Sequence, residues 1–267
     1  MGVTKNLVLG GSGAIGTALC RHLNFKNETI INLDIKEGFD LRKESLEDFK
    51  NVDYVWFLAW DVGGAKYLNA KKNQLSIIRN NTLICQNVFS FLEETGIPFM
   101  FTSSQLAADD NTYGMTKLLG EYWTNLLQGQ IARFWNVYGW ETPGERSHVI
   151  PDLIMQAITK KKISLFTSGD EERQFIYMKD CVENLYLARE SKLKNIHLTN
   201  GSWVKIKDIA TLIGNNFNVP VHFGTEKGYE KKIDPDFTHS VFKWKTSLEK
   251  GIQLITEEAC NYLNIKI

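Results

Sequence analysis

Tyr113-Gly114-Met115-Thr116-Lys117 sets a phenol and an ammonium four residues apart. On a helix those two positions share a face. An ammonium beside a phenol favours the phenolate and draws its pKa down from about 10 towards the working range. Such a group could take a proton from a hydroxyl. The spacing alone is common, and most such pairs simply face solvent. Ser103-Ser104 changes the reading, because Ser104 lies nine residues before Tyr113, where an apolar run ends. A serine hydroxyl at a strand end could hydrogen-bond the reacting oxygen and keep it near the tyrosine.

The first apolar run, Leu7-Val8-Leu9, leads directly into Gly10-Gly11-Ser12-Gly13-Ala14-Ile15-Gly16. In such a turn Gly10 permits the tight bend, Gly13 lets a pyrophosphate approach the backbone, and Gly16 lets the next helix pack close. The N–H groups and dipole at the helix start would hold phosphates. Glycines also mark ordinary turns. Here a strand pattern precedes them and an amphipathic segment follows, with Ile15, Leu19 and Leu23 on one face, which is the context a dinucleotide turn needs. Asp34 closes a second strand pattern, 29–33, eighteen residues after Gly16. An acid there would accept hydrogen bonds from the adenosine ribose and repel a 2′-phosphate, favouring NAD over NADP. The plainer alternative is an acid capping a loop.

Further elements must carry the serine and the tyrosine. Residues 52–59 form a nearly continuous apolar run, as expected of a buried parallel strand. Residues 66–94 read as mostly helical, 99–102 as a strand, 113–127 as a helix and 131–134 as a strand. This alternation predicts an α/β fold with a doubly wound parallel sheet. Beyond Gly139, Pro143, Gly144 and Pro151 mark a loop, followed by a helix over 148–159 and a strand over 163–166. Asp180 is expected to cap a helix reaching Arg189, and 195–198 to return as a strand to the main sheet. The expected division is a dinucleotide-binding domain over 1–142 with a return segment at 171–199. A smaller substrate lobe, 143–170 and 200–267, would cover the C-terminal edge of the sheet.

Composition excludes several classes. Lysine plus arginine and aspartate plus glutamate are 31 each among 267 residues, so a general nucleic-acid or anionic-membrane binder is not expected. No apolar run reaches the length of a membrane span, and the N-terminus lacks signal-peptide character, so a cytoplasmic protein is expected. Cys20, Cys85, Cys181 and Cys260 are far apart and expected to be reduced. The five histidines stand singly, so no metal site is expected.

With these residues in view, the chain resembles the extended short-chain dehydrogenase/reductases, in particular the nucleotide-sugar epimerase/dehydratase family. The glycine turn, with Ala14 and Ile15, and the Asp34-Ile35 pair are similar to that family's cofactor site. Asp40-Leu41 resembles the acidic dipeptide that touches adenine. Phe57-Leu58-Ala59-Trp60 resembles a His-Leu-Ala-Ala strand end under the cofactor, with both end residues altered. Asn81 matches a helix asparagine on the nicotinamide side. Phe101-Thr102-Ser103-Ser104 resembles the serine-rich strand end, which makes Ser104 the implied catalytic hydroxyl beside Tyr113 and Lys117. Arg133-Phe134-Trp135-Asn136-Val137-Tyr138-Gly139 resembles the segment whose asparagine, here Asn136, faces the substrate diphosphate. Gly169-Asp170 and the stretch from Arg173 to Asp180 resemble a motif whose arginine, here Arg173, clamps a substrate phosphate. Val62-Gly63 and His148-Val149 complete the implied substrate contacts.

The resemblance implies NAD as cofactor, a nucleotide sugar as substrate, and C4 oxidation by a 4-epimerase or a 4-dehydrogenase. An NAD(P)H-dependent 4-keto-sugar reductase is the alternative, and a non-catalytic dinucleotide-binding regulator a remoter one. Gln105-Leu106 stand where 4,6-dehydratases place an Asp-Glu pair, which argues against dehydration. The Ser104–Tyr113 spacing is shorter than is usual for the family, so a substrate-side loop is cut back. Val62-Gly63-Gly64 resembles a loop of GDP-sugar enzymes. No cysteine and lysine pair for C3/C5 epimerisation can be placed, and Cys85 reads as core. Family members pair through two long helices, here about 66–94 and 113–128, which implies a homodimer.

Overall fold

A computed structural model describes residues 3–107, 109–142, 144–229 and 242–265. Pro143 and part of the 200–267 stretch expected for the lobe lie outside them. The central sheet runs β1 (Lys5–Leu9), β2 (Thr29–Leu33), β3 (Tyr54–Phe57), β4 (Phe99–Ser104), β5 (Gln130–Phe134) and β9 (Asn195–Leu198). Its spatial order is β2-β1-β3-β4-β5-β9, and every pairing is parallel. The chain leaves β1 towards β2 and returns to the opposite side of β1 at β3. Ligands of open α/β sheets bind at such a reversal, outside the carboxyl ends of the strands.

Helices cover both faces. On one, Leu19 and Leu23 of α1 (Ala14–Phe25) and Val182 and Leu185 of α6 (Met178–Glu190) bury against Val8, Trp56 and Met100. On the other, Val88 and Phe89 of α3 (Gln74–Thr95) pack on Phe57 and Phe101. Trp123 of α4 (Thr112–Leu126) stacks on Phe89 at 5.7 Å and 7°. A second core gathers α5 (Val149–Lys160), α7 (Ile206–Phe217) and α8 (Leu248–Tyr262) through Ile154, Ile209, Ile213 and Ile255. It also takes in Tyr138 of β6 (Asn136–Tyr138) and Phe175 of β8 (Glu172–Tyr177). β6 pairs with β8 in parallel, β10 (Trp203–Lys205) pairs with β8 antiparallel, and β7 (Ile163–Ser164) pairs with β11 (Val221–His222).

Several elements differ from expectation. The helix expected over 66–94 is broken into α2 (Ala65–Leu68), a 3₁₀ turn (Lys71–Asn73) and α3. Asn73 Nδ2 donates to Tyr67 O, and Gln74 Nε2 to Leu68 O and Ala70 O, so side chains satisfy carbonyls that a continuous helix would have used. Asp180 does not cap α6; Tyr177 holds the cap position, and the Asp180 carboxylate accepts from Lys245 N and Thr246 N. The strand expected over 163–166 shortens to β7. Pro151 lies in the first turn of α5, where its missing N–H removes no helical bond. Among the described residues, no helix is long and apolar enough to cross a membrane.

Candidate active site

Three local devices bring Ser104, Tyr113 and Lys117 together. β4 ends at Ser104, whose Oγ accepts from Leu106 N at 3.1 Å. Asn111 caps α4, its Oδ1 accepting from Gly114 N at 2.8 Å, which fixes Tyr113 in the first turn. The linking loop lies directly on the helix start: a Cβ on Gly114 would stand 2.2 Å from Leu106 O. This places Tyr113 within side-chain hydrogen-bond reach of Ser104. One turn further on, Lys117 Nζ donates to Thr102 O at 2.6 Å.

The electrostatics differ from the sequence expectation. Burial pushes the Tyr113 phenol up to about 12, opposed only by the Ser104 hydrogen bond. Lys117 does not lower it, because its ammonium is turned to the Thr102 carbonyl and to the faces of Trp60, 4.2 Å away, and Phe101, 4.8 Å away. Lys117 is 3% exposed, and burial pulls it down to about 7 against the lifting influence of Cys85 and Glu121. Cys85 itself is core, its thiol pushed up to about 12 by burial.

A buried polar chain backs this group. Ser103 Oγ donates to Glu121 Oε1 at 2.5 Å, and Arg133 grips both Glu121 oxygens, at 2.7 and 2.6 Å. Trp135 Nε1 donates to His197 Nδ1 at 3.1 Å, while Arg133 approaches the other ring nitrogen. Glu121 follows Lys117 by four positions, a spacing visible in the sequence. Nothing local in the sequence marks the Trp135–His197 partnership, which depends on β5 pairing with β9.

The glycine turn lies at the reversal between β1 and β3. Gly10 has φ +90°, and a Cβ there would meet Ala59 N at 2.6 Å, so only glycine fits. A Cβ on Gly13 would meet nothing of the chain nearer than Gly10 O at 3.4 Å, which leaves its outer side open to a ligand. No side chain caps α1, so the amides of Ala14, Ile15 and Gly16 are available to an anion. Asp34 Oδ2 accepts from Ser12 N and Oδ1 from Lys36 N, so the acid caps the 3₁₀ turn Ile35–Glu37, as the plainer alternative had it. It also lines the cleft beside the glycine turn, with lone pairs left for further donors. Ile35, Leu58 and Ala59 continue this wall. Asp40 is gripped by Arg42 at 2.8 Å on each oxygen, and the guanidinium holds its carboxyl down at about 2. Leu41 is 5% exposed in the main core, with part of it at the wall. These features fit a dinucleotide.

Asn81 and Val149 are placed elsewhere than expected. Asn81 is fully buried behind the cleft, its amide bonded to Asp61 N, Asp61 O and Thr116 Oγ1, so it holds the β3–α3 connection. Val149 packs on the second core. The remaining expected substrate residues line the same cleft of about 2330 Å³, about twice the upper range of single-ligand pockets and so roomy enough for two ligands. Asn136 Nδ2 donates to Gln174 O, Arg173 to Glu172 O and Tyr229 O, and Glu141 accepts from the backbone N–H of His148 and pairs with its ring. Val62 and Gly63 are secured by a residue with no sequence signal. Arg146 donates to Val62 O and Tyr67 Oη and pairs with Asp61 at 3.0 Å. A Cβ on Gly64 would stand 2.2 Å from Ser147 O, so this glycine is required by the packing of the loop.

The sequence pattern of the NAD dependent epimerase/dehydratase family matches residues 6–200. The chain belongs to this family. UDP-glucuronic acid decarboxylase 2 of Arabidopsis thaliana is 23% identical over 308 residues, covering 94% of this chain and 67% of that protein. The solved UDP-glucose 4-epimerase of Thermotoga maritima superposes with a TM-score of 0.82 at 19% identity, covering 97% of this chain and all of the other. A GDP-6-OMe-4-keto-L-xylo-heptose reductase from C. jejuni gives 0.83 at 18% identity, covering 97% and 98%. At such identities the structural likeness speaks for the fold. The family match supports NAD as cofactor and a nucleotide-sugar enzyme of the extended short-chain dehydrogenase/reductase type.

Proposed function

We propose that this protein oxidises the C4 hydroxyl of a nucleotide-activated sugar with NAD, acting as a 4-epimerase if the hydride returns and as a 4-dehydrogenase if the ketone leaves. The observation that carries the reading is the convergence of Ser104, Tyr113 and Lys117 beside the glycine turn in one cleft. NAD supplies a hydride acceptor when bound. Ser104, held by Leu106 N, orients the hydroxyl, and Tyr113, acting as the phenolate, takes its proton as the carbon loses hydride. Alcohol becomes ketone by that pair of losses. Arg173 and Asn136 would hold the diphosphate, with Val62, Gly63 and His148 near the sugar. The second core, with α5, α7 and α8, would belong to the substrate lobe expected over 143–170 and 200–267. Gln105 and Leu106 after Ser104 argue against dehydration. The nucleotide stays open, since the named relatives use UDP and GDP sugars alike. We also propose a homodimer through α3 and α4.

One observation favours a second reading. Burial pushes the Tyr113 phenol up, towards the protonated form required of an acid that reduces a 4-keto sugar. A panel of UDP-, GDP-, ADP- and dTDP-sugars separates the cases. Interconversion without net cofactor change marks an epimerase, NADH accumulation a dehydrogenase, and NADH consumption with a keto-sugar only, a reductase. Turnover of none of them would sink the proposal. Tyr113→Phe is expected to lower kcat by about 10²–10⁴-fold while NAD binding persists; unchanged activity would remove Tyr113 from its role.

A further inference from the structure

We propose that Trp60 is a positioning residue whose indole face, with Phe101, cages the Lys117 ammonium and keeps it charged and aimed at the Thr102 carbonyl. The distances are short for such contacts: 4.2 Å to the Trp60 centroid and 4.8 Å to Phe101, with Tyr113 at 5.9 Å. A cation within about 6 Å of a ring face is attracted by its quadrupole, most strongly for tryptophan and most of all when desolvated. Trp60 is itself fixed, edge-on to Phe57 at 5.9 Å and to Phe101 at 5.3 Å, and lines the cleft beside the lysine.

Packing alone does not account for a tryptophan here. Its Nε1 is buried without a hydrogen-bond partner, a loss that phenylalanine would avoid at the same place. What the indole supplies and a smaller ring supplies less well is a large π face over the ammonium. Apart from the Thr102 carbonyl, the groups that face the charge are uncharged or shared. Cys85 of α3 faces it as a buried thiol, Tyr113 of α4 as a phenol, and the Glu121 carboxylate of α4 is shared with Ser103 and Arg133 of β5. The caging stands on geometry, and its catalytic meaning rests on the oxidoreductase reading above.

The test does not depend on a substrate. Protein carrying 13Cε-labelled lysine is titrated through the neutral and alkaline range by NMR, and the Lys117 resonance is identified by its loss in Lys117→Arg. Burial draws the wild-type midpoint below that of a free lysine, and the cage is expected to hold it above that of the Trp60 variants. Trp60→Leu should lower it by about one pH unit and Trp60→Phe by about half as much. Trp60→Phe, the smaller change, keeps the test usable if Trp60→Leu does not fold. An unchanged midpoint in Trp60→Phe, or an upward shift from readmitted water, would overturn the cage. Neither outcome depends on whether the protein turns over a nucleotide sugar, so failure of that reading remains distinguishable.

Discussion

Protonating His197 requires breaking the hydrogen bond that its Nδ1 accepts from Trp135 and placing a second positive charge against Arg133. Burial, followed by Arg133, therefore pulls this histidine down to about 4, with Glu121 opposing. The unfolded chain binds that proton near 6.5, so the stabilisation is complete above 6.5 and is lost as pH falls towards 4. Stability should decline in this window with a slope of up to about 1.4 kcal/mol per pH unit. In His197→Asn, whose side-chain oxygen can still accept from Trp135, the slope should flatten. Urea unfolding across the window measures it, and equal slopes in the two proteins would refute the assignment. At this scale the sequence showed which side chains would meet but not their state. The Tyr-x-x-x-Lys spacing correctly implied a shared helix face, yet the sign of the tyrosine shift depended on burial and on where Nζ turns, which spacing does not encode. Asn81 likewise matched a motif while its amide faces the backbone of another loop.

The elements that hold the site show where local signals carry far and where they stop. β1, β3 and β4 were legible because strands buried on both faces read as continuous apolar runs. The break between α2 and α3 was not, because polar side chains of Asn73 and Gln74 make it, without glycine or proline. The β4–α4 loop is the element most constrained by packing. Gly114→Ala would drive a methyl into Leu106 O at 2.2 Å and Asp109 O at 3.0 Å, both backbone atoms. The loop must then shift, carrying the Leu106 N–H away from Ser104. Destabilisation of about 1–3 kcal/mol is expected from this overpacking. kcat should fall while NAD affinity, set mainly by the glycine turn that Gly114 does not touch, stays near wild type. Thermal melts, NAD titration and turnover check the three parts, and an unaltered kcat would show that the loop does not position the serine.

At the scale of the whole molecule, α4 has two faces with different duties. Tyr113, Lys117, Glu121 and Thr124 point inwards and carry the site and its polar backing. Met115, Leu119, Tyr122 and Leu126, at intervals of four, three and four, leave an apolar stripe on the outer face, 56%, 39%, 64% and 77% exposed. Leu75 and Ile78 of the adjacent α3 extend it. Contiguous apolar exposure of this kind marks an interaction surface. A twofold partner presenting the same stripe would bury it in an isologous four-helix contact. The wild type is therefore expected to sediment at twice the chain mass, with a melting temperature that rises with concentration. Leu119→Glu combined with Leu126→Glu should give the single-chain mass. If these leucines were merely exposed, each change would alter stability by no more than about 0.5 kcal/mol and leave the melt independent of concentration. A wild type that sediments as a single chain at every concentration would remove the dimer and leave the stripe to another partner.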